Sequence, residues 1–155
     1  MALDDPIEMY IPEAKGLLVA NNPDLGVDSP TQKVNRSLTI LDLLTHTSGL
    51  SHGLGDSKLD QQLFKALYDE TLNYRSHESL EDRVFTLLSF PLVAQPGTQW
   101  YYSAGADVLA LILQRVSKQS IPTYLKTNIF DPLDMHDTGY NLDELQSRRA
   151  MKLHS

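Results

Sequence analysis

Four segments of this chain begin a helical apolar pattern with the same device, a Ser, Thr or Asn standing three residues ahead of an acid. They are Thr39–Asp42, Ser57–Asp60, Ser79–Asp82 and Asn141–Glu144. A side-chain oxygen at the first position and a carboxylate at the fourth satisfy the orphan N–H groups of a helix N-terminus. The device therefore divides the chain into short helices. The first carries Ile40, Leu43 and Leu44 on one face, with Gly49 suited to its C-terminal stop. The second has Leu59, Leu63, Phe64, Leu67 and Leu72 as its stripe. The third carries Leu80, Val84, Leu87 and Leu88 and ends before Pro91. A fourth helix is expected from about Ser103 to Ser117. Its Val108–Leu113 run is apolar all round, which marks a buried helix. Ser120 caps a short helix through Asn128, and Asn141 with Glu144 caps the last. Ahead of residue 39 the chain is rich in turn formers, with short extended pieces at Leu17–Ala20 and Val34–Arg36. Little is left to build a large sheet.

A chain of 155 residues suits one domain, here an irregular lead-in over 1–38 and a helical region over 39–152. There is no internal repeat or low-complexity segment. Thirteen basic against twenty acidic side chains give a formal charge of −7, which argues against a nucleic-acid groove or an anionic-membrane patch. The longest apolar run has six residues, Val108–Leu113, while a membrane span needs about 20. Met1-Ala-Leu followed by Asp4 and Asp5 does not read as a secretory signal. Without cysteine, disulfides and thiolate chemistry are excluded. A soluble chain is expected, compatible with a cytoplasmic as well as a periplasmic or secreted setting.

Two segments go beyond fold. Leu43-Leu-Thr-His-Thr-Ser-Gly-Leu50 is a helix end whose polar residues precede a glycine turn. On local chemistry it is a cap and loop held by Ser and Thr hydroxyls, with His46 either a hydrogen-bonded structural residue or a base. Pro96-Gly-Thr-Gln-Trp-Tyr-Tyr-Ser-Ala-Gly105 runs from a turn into the start of the buried helix. On local chemistry Trp100, Tyr101 and Tyr102 form an aromatic cluster under a loop. Tyr102 also falls at the positive end of the helix dipole. A tyrosine acting as a base at pH 7 needs roughly three pKa units of help, about 4 kcal/mol. The dipole supplies about 1 kcal/mol of this, so a neighbouring cation is required.

In order along the chain, Leu3-Asp-Asp-Pro-Ile7 with Tyr10-Ile-Pro-Glu13, Leu43–Leu50, Pro96–Gly105 and Ile129-Phe-Asp-Pro-Leu-Asp-Met-His-Asp-Thr138 resemble the serine beta-lactamase-like superfamily. The likeness is to class C beta-lactamases, D-alanyl-D-alanine carboxypeptidases and the related esterases. It implies a mainly α chain, the helical subdomain of the α/β serine beta-lactamase and penicillin-binding-protein-like fold without its main antiparallel sheet. It also implies a Ser of an S-x-x-K motif that forms an acyl-enzyme. The Lys and a Y-x-N tyrosine share the acid–base work, and a K-T-G or H-x-G strand motif completes the site. On this resemblance Tyr102 is the general acid/base, and Ser103 and Ala104 occupy the substrate-binding positions of the Y-x-N motif. Ala104 replaces the usual Asn and cannot hydrogen-bond a substrate amide, which tilts the activity toward ester hydrolysis.

No serine here is followed three residues later by Lys, and no K-T-G or H-x-G follows Tyr102. Thr123 with Lys126 has the spacing but the wrong place in the family order. The chain is accordingly expected to be the central region of a serine hydrolase, without its nucleophile and inactive by itself. The partner of the parent enzyme would be a small ester, amide or peptide, and no cofactor is expected. The alternative is a non-catalytic helical binding or assembly module that self-associates through exposed apolar surface. His136 between Asp134 and Asp137 does not converge on a metal, so no metal site is expected. Asp69, Glu70, Glu78, Glu81 and Asp82 are solvated faces, and Gly53 and Gly55 make no phosphate loop.

Overall fold

The computed structural model describes residues 1–68, 79–140 and 144–151. They fall into two compact units, Met1–Ile112 and Leu113–Ser155, and each is described by itself. The described residues are helix-rich, with one two-stranded sheet.

The residues before 39 contribute to the core. Ile7 and Ile11, in two 3-10 turns (Ile7–Met9 and Pro12–Ala14), are buried. The Ile7 N–H donates to the Leu38 carbonyl at 2.9 Å, and Leu41 N–H donates to Leu3 at 2.8 Å. The opening phrase is thereby laid along the start of the first helix. Strand β1 (Leu18–Ala20) pairs antiparallel with β2 (Thr31–Lys33), matching Leu18 with Lys33 and Ala20 with Thr31. Leu92 bonds the other edge of β1 through Ala20 N–H and Leu18 carbonyl.

The second extended piece is thus Thr31–Lys33 and not Val34–Arg36. The turn closes where Asn21 N–H meets the Pro30 carbonyl at 2.8 Å, and that closure fixes the register. Past Lys33, a side chain substitutes for a strand partner: Gln95 accepts from Asn35 N–H at 2.8 Å and donates to the Lys33 carbonyl at 3.1 Å.

The helical starts follow the capping pattern. Helix α1 (Ile40–Leu44) and α2 (Lys58–Leu67) each have a full capping box, from Thr39 with Asp42 and from Ser57 with Asp60. In α3 (Leu80–Leu88) the Ser79 hydroxyl accepts from Asp82 N–H. Leu59, Leu63, Leu67, Val84, Leu87 and Leu88 point inward as expected, while Phe64 is half-buried. Leu72 and Asn141 lie outside the described residues.

Two details of α1 differ from expectation. Leu44 is exposed, because the helix ends there and the chain turns away at His46, which has φ +55°. His46, and not Gly49, provides the left-handed stop. Gly49 has another task. At φ +79° it lies against the next segment, where an added Cβ would stand 2.1 Å from the Ala94 carbonyl oxygen.

Helix α4 (Gly105–Ser117) starts two residues later than the apolar pattern suggests. The Ser103 hydroxyl takes the Gly105 N–H at 3.3 Å, so Ser103 precedes the first turn. Val108, Leu111 and Ile112 are buried in the first unit, and Leu109 packs half-buried against it. In the second unit, α5 (Ile121–Leu125) is capped by Ser120 and passes into a π-helical turn at Lys126–Phe130. Helix α6 (Glu144–Arg149) follows, tied back by an Arg149–Asp137 ion pair. None of the helices among the described residues is long and apolar enough to cross a membrane.

The Gly49 contact makes a direct test. Gly49→Ala places a methyl group against a backbone carbonyl and strains a left-handed residue. It is expected to lower stability by about 2 kcal/mol or more, read as a shifted urea midpoint with unchanged slope.

Candidate active site

The two central motifs, far apart in sequence, lie side by side. Gly97 N–H donates to the Thr47 carbonyl at 2.7 Å, Tyr101 N–H to His46 at 2.8 Å and Ala104 N–H to Ser51 at 3.3 Å. Val93 N–H adds a bond to Gly49 at 2.8 Å. Residues 93–104 are thereby zipped to residues 46–51 through the backbone, which fixes where each following side chain points.

The zipper is anchored by Asp42. Its buried carboxylate accepts Arg36 Nη1 and Nη2 at 2.6 and 2.8 Å, the Thr39 N–H at 2.9 Å and the Thr47 hydroxyl at 3.2 Å. Burial pushes this carboxyl upward. The Arg36 guanidinium and the Thr39 N–H and hydroxyl more than offset that and hold it below the ordinary aspartate value. Arg36 in turn lies across the Pro-Gly turn, where a Cβ on Gly97 would stand 2.3 Å from Nη2.

A second buried carboxylate, Asp60, sorts the two tyrosines. It accepts the Ser51 and Ser57 hydroxyls and the Tyr101 hydroxyl, the last at 2.8 Å. Burial and this bond to Asp60 push the Tyr101 phenol up to about 12, so Tyr101 stays a protonated donor. Gly55 leaves room for the arrangement, because a Cβ there would stand 2.2 Å from the Tyr101 oxygen.

Tyr102 has the opposite environment. Its side chain is 53% exposed and its ring is held between two imidazoles. His46 lies 4.8 Å away by ring centroids, and His52 stacks at 5.3 Å with 25° between planes. Trp100 closes one side at 6.4 Å. His46 Nδ1 accepts the Ser103 N–H at 3.3 Å and lies 3.2 Å from the Ser103 hydroxyl. His52 bonds the Tyr68 hydroxyl through Nδ1 at 2.8 Å. Burial, with a smaller effect of Arg83, holds His52 below the ordinary histidine value, so it is largely neutral at pH 7. Tyr102, Tyr101, Trp100, His52, Leu54 and Asp56 line a cavity of about 430 Å³.

Of the residues expected from sequence, Tyr102 opens onto this cavity, while Ser103 and Ala104 are 3% and 5% exposed and do not line it. His52 and the sorting role of Asp60 were not legible in the motifs. A usable signal was present in Ser51-His-Gly-Leu-Gly55, where two glycines follow a histidine within three residues. The Ile129–Thr138 motif lies in the second unit. There His136 Nε2 is 3.8 Å from Asp134, and Asp137 is engaged by Arg149. Among the described residues there is no group of three His, Cys, Asp or Glu placed to hold a metal.

Residues 1–155 match the family model described as Beta-lactamase. The chain belongs to the beta-lactamase family. Protein Rv1367c of Mycobacterium tuberculosis is 30% identical over 154 residues, spanning 99% of this chain and 36% of that protein. Esterase EstB of Burkholderia gladioli is 29% identical over 145 residues, spanning 90% of this chain and 32% of the relative. Among solved structures, unliganded simvastatin synthase from Aspergillus terreus superposes with a TM-score of 0.67 at 27% identity. The match covers 94% of this chain and 34% of the synthase. This beta-lactamase-family chain thus spans about a third of the length of the curated relatives it matches.

Because the folded pKa of Asp42 is depressed, its contribution to stability is present above the unfolded value of about 3.9 and is lost as pH falls through the folded value. Asp42→Asn is expected to cost about 2 kcal/mol at pH 7 and to flatten the loss of stability below about pH 4. Urea melts of both proteins at pH 7 and pH 3 check this. An unchanged pH profile in the variant would show that Asp42 does not carry the linkage.

Proposed function

We propose that this chain is the helical subdomain, without the main antiparallel sheet, of a serine hydrolase whose whole length forms an acyl-enzyme on a small ester, amide or peptide substrate. Ester substrates are favoured, and Tyr102 is the general acid/base of that enzyme. The observation that carries the reading is the sorting of adjacent tyrosines. Tyr101 is tied to a buried carboxylate, whereas Tyr102 presents its phenol to a cavity from the motif position that the resemblance assigns to the base. Relatives support the ester preference: EstB is named an esterase, and a Penicillium rubens relative, 31% identical over 143 residues, a lovastatin esterase.

The nucleophile is assigned to a serine outside these motifs. Ser48, Ser51 and Ser103 are buried, and each hydroxyl is engaged: Ser48 by Leu50 N–H, Ser51 by Asp60, Ser103 by Gly105 N–H and His46. Tyr102 would move the proton between an attacking serine from another part of the enzyme and the leaving alcohol. Ser103 and Ala104 would form the rest of the motif beneath it, with Ala104 offering no side-chain hydrogen bond to a substrate amide.

In the protein that joins this chain to an S-x-x-K segment, Tyr102→Phe is expected to lower kcat for p-nitrophenyl ester cleavage about 10²–10³-fold with KM little changed. Wild-type turnover in that variant would refute the assignment. Residues 1–155 alone are expected to hydrolyse neither p-nitrophenyl acetate nor nitrocefin above the buffer rate.

One observation favours a second reading, an assembly surface. Leu3, Leu41 and Leu44 are 55%, 46% and 54% exposed, and Leu3 and Leu41 are bonded neighbours. Such a face drives association when nothing covers it. Size-exclusion chromatography would then show a dimer that Leu44→Glu converts to monomer; a monomer at all concentrations would remove this reading.

A further inference from the structure

The cavity beside Tyr102 combines three features. Large apolar side chains line it while exposed: Trp100 at 66% and Leu54 at 63%. Exposed aromatic and aliphatic side chains that converge on one concavity are a binding surface for an apolar group. The faces are rigidly set. Tyr102 is braced by His46 and His52, and Tyr101 is pinned to Asp60.

The third feature is charge. Among the described residues lining the cavity, the ionised side chain is Asp56, exposed at the rim, and Lys and Arg are absent from the lining. Beneath Tyr101 lies a second carboxylate, Asp60. Its partners are hydroxyls and an N–H of Ser51, Ser57 and Tyr101, with no cation among them. His52, held largely neutral by burial, adds little positive charge at pH 7.

We infer that this cavity selects an uncharged aromatic or alkyl group of the substrate and rejects a carboxylate there. This deepens the proposed ester hydrolysis and rests on it for its catalytic meaning, while the binding preference stands on the cavity alone. A ring of benzene size would stack on the Trp100 face and meet the edge of Tyr102, whose faces His46 and His52 occupy, with its outer end toward Asp56. A carboxylate at that end would meet like charge with no compensating donor cation, a penalty that salt weakens.

Trp100 is the single tryptophan of the chain, so its emission reports occupancy of the cavity. Titration of the 155-residue chain at pH 7 and low salt with methyl benzoate and with benzoate is expected to give at least threefold tighter binding of the neutral ester. Asp56→Asn should narrow that ratio, and Asp56→Lys should invert it. Equal affinities, tighter benzoate binding, failure of either probe to perturb Trp100, or a ratio insensitive to both variants would overturn the inference.

Activity separates the two levels. In the longer protein, kcat/KM is expected to be higher for phenyl butyrate than for monophenyl succinate, with the gap narrowed by Asp56→Asn. If neither ester is cleaved while methyl benzoate still binds preferentially, the hydrolase reading fails and the cavity assignment stands. If both are cleaved without discrimination and the titrations show none, the cavity assignment fails alone.

Discussion

The arrangement around the cavity depends on one buried carboxylate, Asp42. It closes the capping box of α1, receives both terminal nitrogens of Arg36 and takes the Thr47 hydroxyl beyond the helix. Each partner belongs to a different segment: the lead-in, the helix start and the loop that follows. A bidentate guanidinium pair fixes orientation as well as distance. Arg36 is held against Gly97, and that is where the Pro-Gly turn begins the run toward Tyr102. Without the anchor, the loop of residues 45–51 would lose the side-chain bond that holds Thr47, whose carbonyl receives the Gly97 N–H.

The backbone zipper explains how two similar side chains acquire opposite fates. Successive residues of an extended segment point to opposite sides. Both tyrosines border the cavity, but the Tyr101 hydroxyl is turned to Asp60 while Tyr102 is the more exposed. The inward phenol is disfavoured from ionising by burial and by a neighbouring carboxylate. The outward one is constrained laterally by His46 and His52 and stays half exposed. The left-handed backbone of His46 belongs to the same design, since it ends α1 and swings the imidazole onto the Tyr102 ring.

Much of this was legible along the chain. The capping pairs located the starts of α1, α2 and α3 because an N-cap is a local interaction, decided within four residues. The apolar stripes of α2 and α3 identified their buried faces for the same reason. What escaped was non-local. The register that makes Thr31–Lys33 the strand is set by Asn21 with Pro30 and by Gln95, sixty residues away from Asn35. The exposure of Leu44 follows from a turn at His46, whose left-handed backbone is uncommon for any non-glycine residue. Likewise Asp60 was visible as a cap, but its bond to Tyr101 spans 41 positions and arises only once the motifs are zipped.

The same division bears on the role proposed for Tyr102. The core formed by Leu43, Leu50, Val84, Leu92, Val108 and Leu111 is closed around the motif segments. Tyr102 is therefore held by contacts internal to the Met1–Ile112 unit and needs no substrate or nucleophile to define its direction. Preorganisation of this kind avoids an ordering cost at the moment of reaction. A nucleophile brought by another part of an enzyme would then meet a phenol already aimed, and specificity at the cavity would be set by side chains that the same unit fixes.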